Sequence, residues 1–336
     1  MTTDANIWIN LAATAALFGI VAYALLGGAD FGGGVWDLFA GGPRKRQQRA
    51  AIQKAMGPVW EANHVWLIFV IVVLFTCFPR GYSMLVVAFF VPLHLALLGI
   101  MLRGASFVFR SHQAKADDVM RSSTWGTVFG VASIISPLLL GATFGVVTRG
   151  GAQLDEPAEE LLSRASTWLS PYCVANGLLA LATCAYLAAV YLTKETQGEL
   201  REDFRRRAIL AGTATAALAG VTMLLGWREA EWFMGRLLSS WRLPIVAAGL
   251  ACFAGSAWSV FTRRYTLSRL FAAGEIGLVL LGWGCSQYPY LVYPSISLAE
   301  AAAPLATIQF LVLSLPLGAA LIFPSLWLLF QVFKSR

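Results

Sequence analysis

Glu61 and His64 stand three residues apart at the head of an apolar stretch that runs from Gly57 to Pro79. On a helix this spacing puts a carboxylate and an imidazole on one face, about one turn apart. Such a pair can relay a proton. The same spacing occurs on di-iron carboxylate helices, but that site needs a second E-x-x-H motif, and the sequence has none. Two further charged groups belong with them: Asp30, inside Gly27-Gly28-Ala29-Asp30-Phe31-Gly32-Gly33-Gly34, and Arg103, at the close of a later apolar run. Charged groups inside apolar runs are costly unless they face protein or water. Arg103 is a partner for one or both acids. Two readings stay open: a satisfied polar cluster that fixes helix register, or a proton or ion pathway. Trp60, Asn63 and Trp66 read with Arg103 as framework and interface residues.

The remaining titratable groups are few. His64 lies about 9 Å and Glu61 about one turn from the nearer face, and His94 is expected near the midplane. A bis-histidine haem between the second and third helices, or two hydrogen-bonded core histidines, both fit those depths. Glu275 is expected near a helix end, where an acid can also snorkel. The five cysteines (Cys77, Cys173, Cys184, Cys252, Cys285) sit singly in apolar runs and read as small buried hydrophobes. Gly126 with Gly130, and Gly141 with Gly145, have the spacing of close helix packing. No Walker loop, Rossmann fingerprint, Ser-His-Asp set or zinc spacing is present, so no complete catalytic site is read in this chain alone.

The elements that position these groups follow from composition. Of 336 residues 58% are hydrophobic and only 13% charged, and the mean hydropathy is +0.67. That is too little charge to cover a soluble domain of this length, so the class is a polytopic membrane protein. Apolar runs at about 7–28, 58–79, 82–102, 124–148, 168–192, 208–226, 243–261, 269–286 and 305–332 predict an all-α transmembrane bundle of about nine helices in one domain, 1–336. The first run lacks a basic n-region and an evident cleavage site and reads as a membrane helix. No alternating pattern supports membrane strands. Of the 25 basic residues, 19 fall in loops on one side of this topology. That places the N-terminus outside and the C-terminus in the cytoplasm. The net charge of +7 is explained by these loops. No motif points to nucleic acid as a partner, and membrane lipid is one.

Two stretches are specific enough to name a likeness. Gly28-Ala29-Asp30-Phe31-Gly32-Gly33-Gly34-Val35-Trp36 and Gly57-Pro58-Val59-Trp60-Glu61-Ala62-Asn63-His64-Val65-Trp66-Leu67 resemble subunit II of the cytochrome bd-type quinol oxidases, nearest in look to the cyanide-insensitive branch. Leu102-Arg103, Phe109-Arg110, the segment from Ser136 to Gly145 and the segment from Tyr288 to Ser295 support it. The family pattern often has an acid where Gly27 stands, aspartate at Glu61 and glutamine at His64. The resemblance implies a heterodimer whose subunit I binds haems b and d and carries the quinol-oxidising loop. Subunit II completes the membrane assembly and contributes Glu61, Asp30 and His64 to a proton path from the cytoplasm. An oxygen route, a structural quinone and small accessory subunits are left open. The implied substrates of the complex are quinol and O2, and the implied location is the bacterial cytoplasmic membrane. This chain is expected to hold no haem itself and to meet its partner around the first four membrane helices. The other class considered is a proton-coupled secondary transporter with Asp30 and Glu61 as coupling acids; such proteins usually carry internal repeats, and none is visible.

Overall fold

In the computed structural model, which describes residues 3–56, 60–113, 119–150 and 168–334, the chain is almost entirely helical. The helices are α1 (Thr3–Leu38), α2 (Lys45–Met56), α3 (Trp60–Cys77), α4 (Pro79–Ala88), α5 (Phe90–Gln113), α6 (Val119–Arg149), α7 (Pro171–Glu195), α8 (Gly198–Glu229), α9 (Glu231–Leu237), α10 (Leu243–Phe261), α11 (Tyr265–Gln287), α12 (Leu298–Ala301) and α13 (Leu305–Lys334). Among the described residues eight of these are long and apolar enough to cross a membrane: α1, α5, α6, α7, α8, α10, α11 and α13. The ninth apolar helix is α3, 18 residues long, or about 27 Å. The expected all-α membrane bundle is therefore present, with eight helices of spanning length and α3 as a shorter apolar ninth.

Three expectations need correction. The run at 82–102 is not one helix. Pro79 lacks the N–H to continue α3 and disfavours helical geometry at Phe78, so α4 starts afresh there. Pro92 then sits in the first turn of α5, where a missing N–H is tolerated. As a result Arg103 lies in the interior of α5, ten residues before its end, not at a helix terminus. Likewise α1 continues through the glycines to Leu38, so Asp30 is two turns inside it. A short antiparallel hairpin, β1 (Tyr290–Val292) with β2 (Ile296–Ser297), also occurs in a loop where no strand was expected.

The helix α1 is the hub of the bundle, packed against α3, α6, α7, α11 and α13. Its glycines permit this. A Cβ on Gly32 would fall on the backbone carbonyl of Cys184, so α1 and α7 touch backbone to backbone. On α6, Gly141 and Gly145 meet Asn176, Gly177 and Cys173 of α7, and Gly130 meets Leu38, which bears out three of the four small-residue positions. Among the described residues nothing lies within 4 Å of where a Cβ on Gly126 would stand. Cys77 and Cys173 are buried, and none of the five cysteines forms a disulfide among the described residues.

The two ends of the bundle differ in charge. At one end Arg44 holds Asp203 at 2.7 Å, Arg207 donates to Gln48 at 2.7 Å, Arg205 donates to the Val260 carbonyl at 3.0 Å, and Arg269 reaches Glu195 at 3.5 Å. These contacts tie α2 and the turns after α7 and α10 into one basic cap. At the other end Arg149 pairs with Glu229 at 3.3 Å, and Arg236 and Arg242 donate to the carbonyls of Ser286 and Cys285. There Ser297 and Glu300 form a capping box on α12, and the Ser297 N–H and hydroxyl hold the Glu300 carboxyl below the usual carboxylate range.

Candidate functional site

The polar interior is built on α1 from the seven-residue spacing of Tyr23, Asp30 and Asp37, which stacks them along one face, two turns apart. On α5, Arg103 and Arg110 repeat that spacing. The two helices therefore meet through two ion pairs in matching register. Arg103 Nη1 lies 2.8 Å from Asp30 Oδ2, with the side chains 2% and 1% exposed. Arg110 grips Asp37 with both terminal nitrogens, at 2.7 and 3.0 Å. Arg49 of α2 joins from the basic end and donates to the Asp37 carbonyl at 3.2 Å.

Arg103 is used on every side. Nη2 donates to the Asp30 backbone carbonyl at 3.1 Å and Nε to Ser133 Oγ at 3.0 Å. Its guanidinium carbon stands 4.8 Å from the Phe129 ring centre and 5.3 Å from that of Phe31. Only a planar fork with several donors can pair with a carboxylate while donating to a carbonyl and a hydroxyl. Ser133 is placed on α6 one turn before Pro137, and its hydroxyl also donates to the Phe129 carbonyl at 2.7 Å.

His64 enters from α3 and lies half-buried between the Phe31 and Tyr23 rings, 6.0 and 5.9 Å away centre to centre. The Tyr23 hydroxyl is buried and has no hydrogen-bond partner among the described residues. Asn63 is buried, and Trp66 packs edge-on against Phe18 at 5.6 Å. Trp60 and Glu61 occupy the first turn of α3, and their side chains lie outside the described residues. Asp30, Arg103 and His64 are thus brought together, with Glu61 one helical turn from His64.

His94 is not part of this group. It lies on an exposed face of α5, with Nδ1 2.7 Å from the Phe90 carbonyl of its own helix. Since His64 points into the seam of α1 and α3 while His94 lies on an exposed face of α5, the residues do not fit the bis-histidine haem expected between α3 and α5, the second and third membrane helices. Among the described residues no three His, Cys, Asp or Glu side chains gather as a metal site. Glu275 does not snorkel: it is 8% exposed, ten residues into α11, and its Oε2 has no hydrogen-bond partner among the described residues.

Asp37, Arg110 and Tyr23 were not singled out from sequence. Their signal was the shared seven-residue spacing to Asp30 and Arg103, which places two acids on one helix opposite two arginines on another.

Apolar helices packed around a buried ion-pair ladder define an integral membrane protein of the polytopic α-helical class. Residues 7–333 match the family described as cytochrome bd terminal oxidase subunit II. The chain is 26% identical over 295 residues to cytochrome bd ubiquinol oxidase subunit 2 of Bacillus subtilis, covering 81% of this chain and 84% of that one. It is 28% identical over 215 residues to cytochrome bd-I ubiquinol oxidase subunit 2 of Escherichia coli, covering 62% of this chain and 55% of that one. Its fold is similar to a chain in the structure of the bd oxidase from Geobacillus thermodenitrificans, with a TM-score of 0.80 at 19% identity over 98% of this chain and 99% of the other. The chain belongs to the cytochrome bd terminal oxidase subunit II family. It is a component of a haem-containing quinol oxidase complex of aerobic respiration that includes a subunit I partner. The transporter reading is not favoured.

Proposed function

We propose that this chain, as one membrane domain beside a subunit I that carries haems b and d, delivers cytoplasmic protons to the site where quinol electrons reduce O2 to water. The observation that carries this reading is the buried Asp30–Arg103 pair set beside His64, two turns in from the basic end. The excess of Lys and Arg in the loops at that end supports an N-terminus outside and a C-terminus in the cytoplasm of a bacterium's inner membrane.

The roles divide by geometry. Arg103 occupies Asp30 from two directions, so this pair is the anchor that fixes α1 against α5 and α6 and keeps a polar spot at that depth. Glu61 and His64, one turn apart on α3, are of the side-chain types that take and release protons, and the proton relay is assigned to them. Reduction of O2 to water consumes protons, and a protonatable side chain can relay them where an amide of the same shape does not.

The test is the Glu61→Gln variant of the complex. Its quinol-driven O2 consumption is expected to fall about tenfold or more, with haem content near normal in the reduced-minus-oxidised spectrum. Glu61→Asp is expected to keep more activity. If Glu61→Gln loses haem and activity together, the residue is structural. Full haem with full turnover would show that Glu61 is no obligatory carrier.

A further inference from the structure

At the basic end, away from the ion-pair ladder, the end of α7, the first turns of α8 and the turn between α10 and α11 border an open cleft of about 350 Å³. Four cationic side chains line it: Lys194, Arg201, Arg263 and Arg264. The nearby acids are largely engaged. Glu202, which faces Arg263 at 3.6 Å, is also held by Arg205 at 2.8 Å, and Glu195 is taken by Arg269 at 3.5 Å. Lys194 has no ion-pair partner among the described residues. Of the four cations only Arg263 has an ion-pair partner among the described residues, so positive charge is concentrated here with Glu202 as the one competing acid.

Two of the arginines are positioned by their neighbours. Arg201 donates from Nε to the Thr196 carbonyl at 2.7 Å and lies 5.1 Å from the Tyr265 ring centre, and Arg264 lies 5.1 Å from that of Trp258. Both keep further N–H donors in reserve, because one guanidinium carries five. Arg263 has a φ of 61°, a left-handed conformation that favours glycine, yet the turn carries a cation there. The same two helices carry exposed apolar side chains close to these cations in sequence: Trp258, Phe261, Leu267 and Leu270.

We propose that this cleft binds the phosphate headgroup of an anionic phospholipid, with the acyl chains lying over the α10–α11 surface below it. A basic pocket between membrane helices with an adjoining apolar face has the chemistry for that ligand. A free phosphate would use the same cations but gain nothing from Trp258, Leu267 or Leu270. Each cation near a headgroup contributes about fivefold in affinity.

Native mass spectrometry of the purified oxidase complex, titrated with dioleoylphosphatidylglycerol, tests the assignment. The wild-type complex is expected to retain one more phosphatidylglycerol than Arg263→Gln/Arg264→Gln, whose affinity falls roughly 25-fold. Dioleoylphosphatidylcholine should show no such difference, and millimolar inorganic phosphate should leave the retained lipid in place. Glu202→Gln removes the competing acid and should bind the anionic lipid about fivefold more tightly. That variant decides the matter if the double variant does not assemble. Equal retention by wild type and double variant, equal retention of phosphatidylcholine, an unchanged Glu202→Gln, or displacement by inorganic phosphate would each overturn the proposal, the last in favour of a free-anion site.

Discussion

Replacing Arg103 with methionine is expected to abolish accumulation of the assembled complex. The substitution leaves Asp30, 1% exposed, without the guanidinium that now sits 2.8 Å away. It also removes the donors to Ser133 Oγ and to the Asp30 carbonyl. Breaking a buried pair from one side costs about 3–5 kcal/mol, a large share of the roughly 5–15 kcal/mol that holds a typical domain together. The double variant Asp30→Leu/Arg103→Met removes both charges and replaces them with apolar groups, so it should recover much of the lost stability. Arg103→Lys should fall between, because an ammonium keeps the charge but not the fork that spans carboxylate, carbonyl and hydroxyl. Complex yield and thermal unfolding of the detergent-solubilised protein measure all three. A double variant no better than Arg103→Met would mean that the unpaired carboxylate is not the source of the loss. The double variant has a second use. If its assembled complex turns over normally, the pair is a lock and nothing more; if O2 consumption falls while haem is retained, the polar spot itself serves proton delivery.

The second large effect is expected at Gly32. A β-carbon there would land on the Cys184 carbonyl and also crowd Ala188, so even alanine needs a backbone to move. Overpacking of this kind costs about 1–3 kcal/mol, and more where backbone meets backbone. Gly32→Val should push α1 away from α7 and break the bond from Trp36 Nε1 to the Ala185 carbonyl, now 2.7 Å. Gly28, one turn earlier on the same helix, provides the control. Its β-carbon would sit 3.5 Å from Cys184 Sγ, an ordinary contact, so Gly28→Ala should be tolerated. Unfolding temperature and haem-containing complex yield should therefore separate Gly32→Val from Gly28→Ala sharply. If both behave alike, the α1–α7 contact is looser than described.

Much of this molecule was legible in its sequence because a bilayer admits few solutions. Backbone polar groups must be satisfied within each span, so apolar runs of about 20 residues become helices. The nine runs and the small-residue contacts of Gly130, Gly141 and Gly145 followed from that alone. The family followed from two polar stretches, around Asp30 and around Glu61. Grouping Asp30 with Arg103 followed from apolar surroundings, where a charge must find a partner.

The tertiary structure decided what one-dimensional hydropathy does not encode. Hydropathy marks where a chain is apolar but not where a helix stops: Asp30 and Arg103 fall at the ends of apolar runs, yet α1 and α5 both continue past them. Nor does it say which way a helix turns its side chains. His64 faces α1 while His94 faces outward, and Glu275 is enclosed rather than reaching for a surface. The pairing of Asp37 with Arg110 needed the register of α1 against α5. That register depends on how helices seat against a common neighbour, α6, through contacts between residues far apart in the chain.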